Sequence, residues 1–254
     1  MNKYRSVPPK DNNQLSSEWD AIALTRAEQI EKNIDISFKH VLLPYIESSL
    51  MAHSRRLVLD IGCGTGFLTY QLSKVCDRII GVDLSNKSIQ IAKEKFSTSN
   101  TTYFLTSIED YSISVTRSMF SLAVANMTLM DVKNLFEVVN SVSKVLMNGG
   151  HFIFTITHPH FWPFYWGYYD EPWFDYKKEI FIEAPFHISL DSSNNNITTH
   201  VHRPLEMYIN TLTNNGFVID EINELMPEDT KVQEKYNTAW KYPRFLGVKC
   251  HLEK

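Results

Sequence analysis

The feature that most constrains this chain is the run Val58-Leu-Asp-Ile-Gly-Cys-Gly-Thr-Gly66. Residues 56–60 form a short apolar stretch that runs into three glycines, which reads as a buried strand turning tightly into a helix over 67–76. Glycines at 62, 64 and 66 let a ligand approach the backbone, because no Cβ stands in the way. Their G-x-G-x-G spacing differs from the G-x-G-x-x-G of dinucleotide loops, which counts against a nicotinamide dehydrogenase. Asp60 beside the turn repels a pyrophosphate and suits a ligand with an amino group. Asp83 lies 21 residues after Gly62, at the end of the next apolar run. A carboxylate there accepts two hydrogen bonds from a ribose diol, and it also suits the N-cap of the following helix. Together the motifs describe a ligand with a ribose, a cationic amino-acid end and no phosphate.

Strand and helix patterns alternate along the chain. Strands are expected at 56–60, 78–83, 102–106, 120–125 and 151–157, with helices at 67–76, 88–96 and 131–146. A helix at 204–214, ended by Asn215-Gly216, precedes two last strands at 217–221 and 245–252, expected to pair antiparallel. The fold class is α/β, a doubly wound, mostly parallel seven-stranded sheet with helices on both faces. Ahead of it, residues 1–16 read as a loose arm, a helix begins at Ser17, and a second helix over 36–51 is disturbed by Pro44. Residues 158–202 break the rhythm and read as a cap inserted after the fifth strand. The division expected is therefore an N-terminal arm and helical lid over 1–55, a core of 56–157 and 203–254, and a cap over 158–202.

With these motifs the sequence resembles the class I (Rossmann-like) S-adenosylmethionine-dependent methyltransferases, particularly the type 11 small-molecule group. The likeness covers residues 57–157 and resumes at His202-Arg-Pro-Leu205, Asn215-Gly-Phe217 and Tyr242-Pro-Arg-Phe-Leu246. It implies S-adenosyl-L-methionine as cofactor and S-adenosyl-L-homocysteine as product. Asp60, Gly62, Cys63, Gly64 and Gly66 would cradle the methionine part, and Asp83 with its neighbour Leu84 would hold the ribose. Ser107, Ile108 and Glu109 would line the adenine pocket. Family members often carry an acidic residue where Ser107 stands, so the apolar wall of Ile108 is the firmer expectation. Asn126 and Met127 would lie next to the sulfonium methyl. The reaction implied is in-line displacement by an O, N or C atom of a small-molecule acceptor.

The acceptor side rests on less specific signals. Ten aromatic residues stand between Phe161 and Tyr176, where a parallel sheet opens its carboxyl edge to ligands. Phe161, Trp162, Tyr165, Trp166, Tyr168 and Trp173, with Trp19 and Arg203, are the candidate substrate contacts. A core or dimer surface is the competing reading of so many rings. Two H-x-H pairs, His158-Pro-His160 and His200-Val-His202, offer a general base. His158 is preferred, followed by His160 and His202, against the reading that they are buried hydrogen bonders. No metal is expected.

A formal charge of −4 without a basic stripe makes nucleic acid a poor partner. Three widely spaced cysteines suit a reducing compartment. The polar first twenty residues lack a signal-like apolar core, and no stretch approaches the roughly 18 apolar residues of a membrane span. The expectation is a cytoplasmic protein without membrane partners, monomeric or homodimeric. Two rivals remain. One is a protein or nucleic-acid methyltransferase, although Asn126 is followed by Met127, Thr128 and Leu129 and not by the motifs of base methylases. The other is a catalytically inactive regulatory subunit that keeps the cofactor pocket.

Overall fold

The computed structural model describes residues 4–50, 55–115, 119–236 and 240–254. It begins with strand β1 (Arg5–Val7) and helix α1 (Asn12–Glu31), where the sequence suggested a loose arm. The helix starts early because Asp11 and Gln14 form a capping box. The Asp11 carboxylate accepts from Gln14 N at 2.9 Å, and the Gln14 side chain accepts from Asp11 N at 3.0 Å. A π-helical turn (Phe38–Leu42) leads into α2 (Leu43–Leu50). The disturbance expected at Pro44 takes this form, since proline has no N–H to donate and the wider turn absorbs the missing bond. The expected helix end at Met51 lies outside the described residues.

The core then alternates as anticipated: β2 (Leu57–Ile61), α3 (Phe67–Ser73), β3 (Arg78–Asp83), α4 (Asn86–Lys95), β4 (Thr101–Leu105), α5 (Ile108–Ser114), β5 (Phe120–Asn126), α6 (Leu135–Val145) and β6 (Leu146–Thr157). The short helix α5 was not anticipated. Its N-cap is Ser107, whose hydroxyl accepts from Asp110 N at 3.0 Å. Helix α6 starts four residues later than expected because Asn134 caps it, accepting from Glu137 N at 3.2 Å. That later start leaves Asp131 in the loop.

The cap carries α7 (Trp162–Trp166), β7 (Ile180–Pro185) and β8 (Ile197–His202). Helix α8 (Leu205–Asn214), β9 (Phe217–Leu225), α9 (Thr230–Gln233) and β10 (Phe245–Leu252) complete the chain. The main sheet has seven strands in the order β4-β3-β2-β5-β6-β10-β9. The first five are parallel, and β10 runs antiparallel to both of its neighbours. Val58, Leu59, Leu122, Ala123, Val124, Phe152, Ile153 and Phe154 are fully buried, as strands covered on both faces require.

A second sheet, β1-β7-β8, roofs the carboxyl edge of the first. It joins the N-terminal segment to the cap, which the sequence had suggested as separate pieces: Arg5 pairs with Glu183 and Val7 with Phe181. Helix α1 is fastened to the same roof. Glu18 accepts from Thr199 N at 2.8 Å, Gln29 donates to Asp191 at 2.9 Å, and Lys10 bridges Glu18 and Glu183. To the core it is held by Asp20, whose carboxylate accepts from Ser85 Oγ (2.6 Å) and Lys87 N (2.9 Å). No helix among the described residues is long and apolar enough to cross a membrane.

Arg203, a candidate substrate contact by sequence, is fully buried and serves the frame. It donates to the carbonyls of Leu129 (3.0 Å), Val132 (2.6 Å) and Lys133 (3.3 Å), and to Glu179 (2.5 Å). These bonds fix the loop between β5 and α6. Arg203→Met, which leaves the buried Leu129 carbonyl and the partly buried Val132 and Lys133 carbonyls without their donor, is expected to cost about 3 kcal/mol in urea unfolding.

Candidate active site

Strand order reverses between β2 and β5, since the chain proceeds from β2 outward through β3 and β4 and returns to build β5 and β6 on the other side. Loops at such a switch point diverge and leave a crevice beyond the strand ends. The crevice here is a cavity of about 550 Å³, within the span of roughly 300–1,000 Å³ typical of small-molecule sites. The roof made by α1 and the second sheet covers it, and Trp19 and Phe186 line it from that side.

Backbone conformation builds the floor. Gly62 and Gly64 have φ of +66° and +52°, values that L side chains resist. A Cβ on Gly62 would stand 2.4 Å from the Thr128 side chain, so this glycine lets the loop after β5 close against the loop after β2. A Cβ on Gly64 would meet no described atom within 4 Å. Gly64 N donates to Asp83 Oδ2 at 2.8 Å, and Ser85 N donates to Asp83 Oδ1 at 2.8 Å. A carboxylate has about four lone-pair sites, so these bonds leave it capacity for a ligand diol.

Burial sets the charge of the site. It pushes the Asp60 carboxyl up to about 7, while the Thr69 hydroxyl, donating at 2.6 Å, pulls the other way. Burial also raises Asp83 against the backbone amides of Ser85, Gly64 and Leu84, and raises Glu109. At the cap end Asp131 is pushed well above the carboxylate range by burial, with Arg203 opposing. His200 faces it, Nδ1 to Oδ1 at 3.9 Å, and burial drives that imidazole down to about 3. The imidazole is therefore neutral at pH 7, and burial favours the protonated form of its Asp131 neighbour.

Of the cofactor candidates, Asp60, Gly62, Cys63, Gly64, Asp83, Leu84, Ser107, Ile108, Glu109, Asn126 and Met127 all line this one cavity. Gly66 does not; it precedes α3 and packs on Ala92. Trp19, Trp162, Tyr165 and Trp166 also line it. Phe161, Tyr168 and Trp173 lie elsewhere: Phe161 stacks on Tyr242, and the buried Tyr168 stacks on Trp173. The three histidines preferred from sequence are not on the lining. His158, at the end of β6, is flanked by β10 and turns to Glu224 at 3.2 Å. His160 packs among the rings of Phe161, Phe164 and Tyr176. His202 meets the carbonyl of Tyr176 at 3.0 Å.

Two histidines are on the wall, His187 and His200, and His200 is the member of the second H-x-H pair not among the preferred candidates. Asp131 and Arg244 were missed as well. The Asn134 cap was a signal for Asp131, and Arg244 sits inside the segment 242–246 singled out by resemblance. Among the described residues no cluster of three or more His, Cys, Asp or Glu side chains could hold a metal.

Residues 59–154 match the family model described as a methyltransferase domain. An uncharacterized methyltransferase of Schizosaccharomyces pombe is 27% identical over 144 residues, covering 48% of this chain and 51% of that protein. A malonyl-[acyl-carrier protein] O-methyltransferase of Bacillus anthracis is 26% identical over 125 residues, covering 48% of this chain and 45% of that protein. The chain thus spans about half the length of the curated relatives it matches. Among solved structures, an S-adenosylmethionine-dependent methyltransferase from Clostridium acetobutylicum superposes with a TM-score of 0.63 at 18% identity, covering 91% of this chain and 98% of that one. The fold is that of the class I methyltransferases.

Two alanine substitutions separate the roles of the loop glycines. Gly62→Ala adds backbone strain to a clash with Thr128 and is expected to lose about 2–4 kcal/mol in urea unfolding. Gly64→Ala adds strain alone and is expected to lose about 1 kcal/mol.

Proposed function

We propose that this chain, built on the class I methyltransferase fold, transfers a methyl group from S-adenosylmethionine to an O, N or C atom of a small-molecule acceptor. The observation that carries this reading is the convergence of Asp60, the Gly62–Gly64 backbone and Asp83 on one cavity whose opposite wall is aromatic. S-adenosylmethionine, when bound, supplies a methyl already activated by positively charged sulfur.

The residues present fit that molecule. Asp60 would take its ammonium group, the glycine backbone its methionine chain, and the spare lone pairs of Asp83 its ribose. Ile108 and Leu84 give apolar walls for the adenine beside Ser107 and Glu109, and Asn126 and Met127 border the transferring methyl. In this reading residues 56–157 and 203–254 hold the cofactor, while 1–55 and 158–202 cover the acceptor. Three buried, unpaired cysteines agree with a reducing cytoplasmic setting.

Alignment of the acceptor and exclusion of water are the main work left to the protein, and positioning contributes on the order of 7–11 kcal/mol. An acceptor with a proton to lose passes it to His200. Its imidazole is neutral at pH 7 with a lone pair ready, and it can hold the proton only as the Asp131 carboxyl 3.9 Å away ionises beside it, so that the two form an ion pair.

Calorimetry with S-adenosylhomocysteine, and NAD as control, tests the cofactor assignment: micromolar binding of the first and none of the second is expected. No binding of S-adenosylhomocysteine would reduce the glycine loop to a turn. A pH series sharpens the test. The ammonium requires an ionised Asp60, so affinity is steady above pH 7 and falls toward tenfold per unit below it. Asp60→Asn should flatten that dependence.

For the proton acceptor, His200→Ala is expected to lower kcat at least tenfold with S-adenosylhomocysteine affinity within twofold. His158→Ala, altered outside the cavity, should change neither. Equal activity of the two variants would return His200 to a packing role.

A further inference from the structure

The loop after β5 is held in a conformation that costs energy. Met127 has φ of +53°, in the left-handed region that a bulky side chain avoids. Thr155 on β6 keeps it there: Met127 N donates to Thr155 O at 2.9 Å and to Thr155 Oγ1 at 3.2 Å. From the other side, Thr128 Oγ1 donates to Asn126 O at 3.2 Å and to Ile61 O at 3.1 Å. Strain persists where surrounding bonds over-determine it, and such places cluster at sites of function. Met127 and its neighbour Asn126 both line the cavity.

The same bonds decide which way the Asn126 amide faces. Asn126 and Thr155 are paired residues on adjacent parallel strands, so their side chains leave the sheet on the same face. Thr155 Oγ1 already accepts from Met127 N, and its own proton goes to Asn126 Oδ1 at 2.8 Å. The amide oxygen is thereby turned toward the interior, where Thr155 is fully buried. The amide Nδ2 meets no acceptor among the described residues and is not enclosed, so its N–H groups open into the cavity that Asn126 lines. Both arginines on the lining are engaged. Arg26 is taken by Asp35 at 2.8 Å and Gln29 at 2.7 Å, and Arg244 by the Tyr165 side chain and the Trp240 ring.

We propose that Asn126 donates a hydrogen bond to the acceptor atom itself, so that the group methylated is a hydroxyl on a planar ring lying along Trp162 and Trp166. This rests on the methyltransferase reading above and narrows its choice of O, N or C to oxygen. The reason lies in lone pairs. An amine or a carbon nucleophile has a single electron pair, which the methyl takes, leaving none to meet an N–H. A hydroxyl oxygen has two, one for the methyl and one for Asn126. An amine would instead need an oxygen to receive its hydrogens, and Asn126 Oδ1 is turned away to Thr155. In the transfer the oxygen gains the methyl carbon, the electron pair of the carbon–sulfur bond stays with sulfur, and the hydroxyl proton goes to His200. Thr155 does not line the cavity; it is a positioning residue, acting through the amide that it orients.

Calorimetry on the protein saturated with S-adenosylhomocysteine tests this, with 4-propylphenol as the probe and 4-propylaniline as its amine match. The phenol is expected to bind at least tenfold more tightly than the aniline. Asn126→Ala should bring the two within threefold of each other while binding S-adenosylhomocysteine within threefold of the unaltered protein. Thr155→Val keeps the shape and loses the hydroxyl, and should lower the preference at least threefold; Thr155→Ser should restore it. A purely structural Thr155 would lower the melting temperature in Thr155→Val and leave the preference alone, which overturns its positioning role. Equal affinity for the two probes, no detectable binding of the phenol at millimolar concentration, or a full preference in Asn126→Ala overturns the proposal. So does a tenfold loss of S-adenosylhomocysteine affinity in Asn126→Ala, which would put the amide on the cofactor. Should that variant fail to fold, Thr155→Val and Thr155→Ser decide by the same preference. If the unaltered protein binds no S-adenosylhomocysteine, the methyltransferase reading falls by itself, and the phenol-over-aniline preference measured without it still decides whether the donor seat stands.

Discussion

The bond from Gly64 N to the Asp83 carboxylate, 2.8 Å long, ties the loop after β2 to the end of β3. Gly62 N and Cys63 N reinforce it by donating to Val82 O at 2.9 and 3.1 Å. A loop held this way is a surface more than a connection. Its backbone stays where a ligand can lie against it, and the carboxylate that pins it is left facing the same space. Positive φ at Gly62 then allows Thr128 to approach, and Thr128 in turn donates to Ile61 O at 3.1 Å. The floor of the cavity and the loop after β5 are consequently one bonded unit, with Arg203 holding its far side.

Electrostatics follow from the same closure. Water is kept from Asp60, Asp131 and His200, and burial pushes each toward its uncharged form. Charge is restored where a ligand brings its partner, so the cavity is selective through the cost of desolvation as much as through shape. The two ends differ in their side chains. Carboxylates gather around the glycine loop, and Arg244 stands with its rings under the cap.

The parts of this arrangement written in local signals could be read from sequence. Glycine spacing, Asp83 and the alternation of apolar runs are set within ten or twenty residues, and the seven-stranded sheet with its antiparallel last pair agrees with them. The roof could not be read. Its pairing joins Arg5 to Glu183, 178 residues apart, through a strand of three residues that carries no periodicity. Which histidines face the cavity was not legible for a related reason. The end of β6 does open toward ligands, but β10 lies alongside it, so His158 turns to the sheet neighbour Glu224 while β10 delivers Arg244 to the opening. Which of two histidines on β8 reaches the cavity depends on where the hairpin sits, and two residues along a strand amount to nearly 7 Å.

The roof sheet has a further consequence. Strand β1 is the outer neighbour of β7, paired along Arg5, Ser6 and Val7. The beginning of the chain is thus the hem of the cap, stitched to it by main-chain bonds. Trimming it away would not simply unlatch a door. It would bare the edge of a strand containing Ile180, Phe181 and Ile182, and an unpaired strand edge recruits whatever other strand it meets. A strand of three residues at the start of the roof is thus what covers that edge.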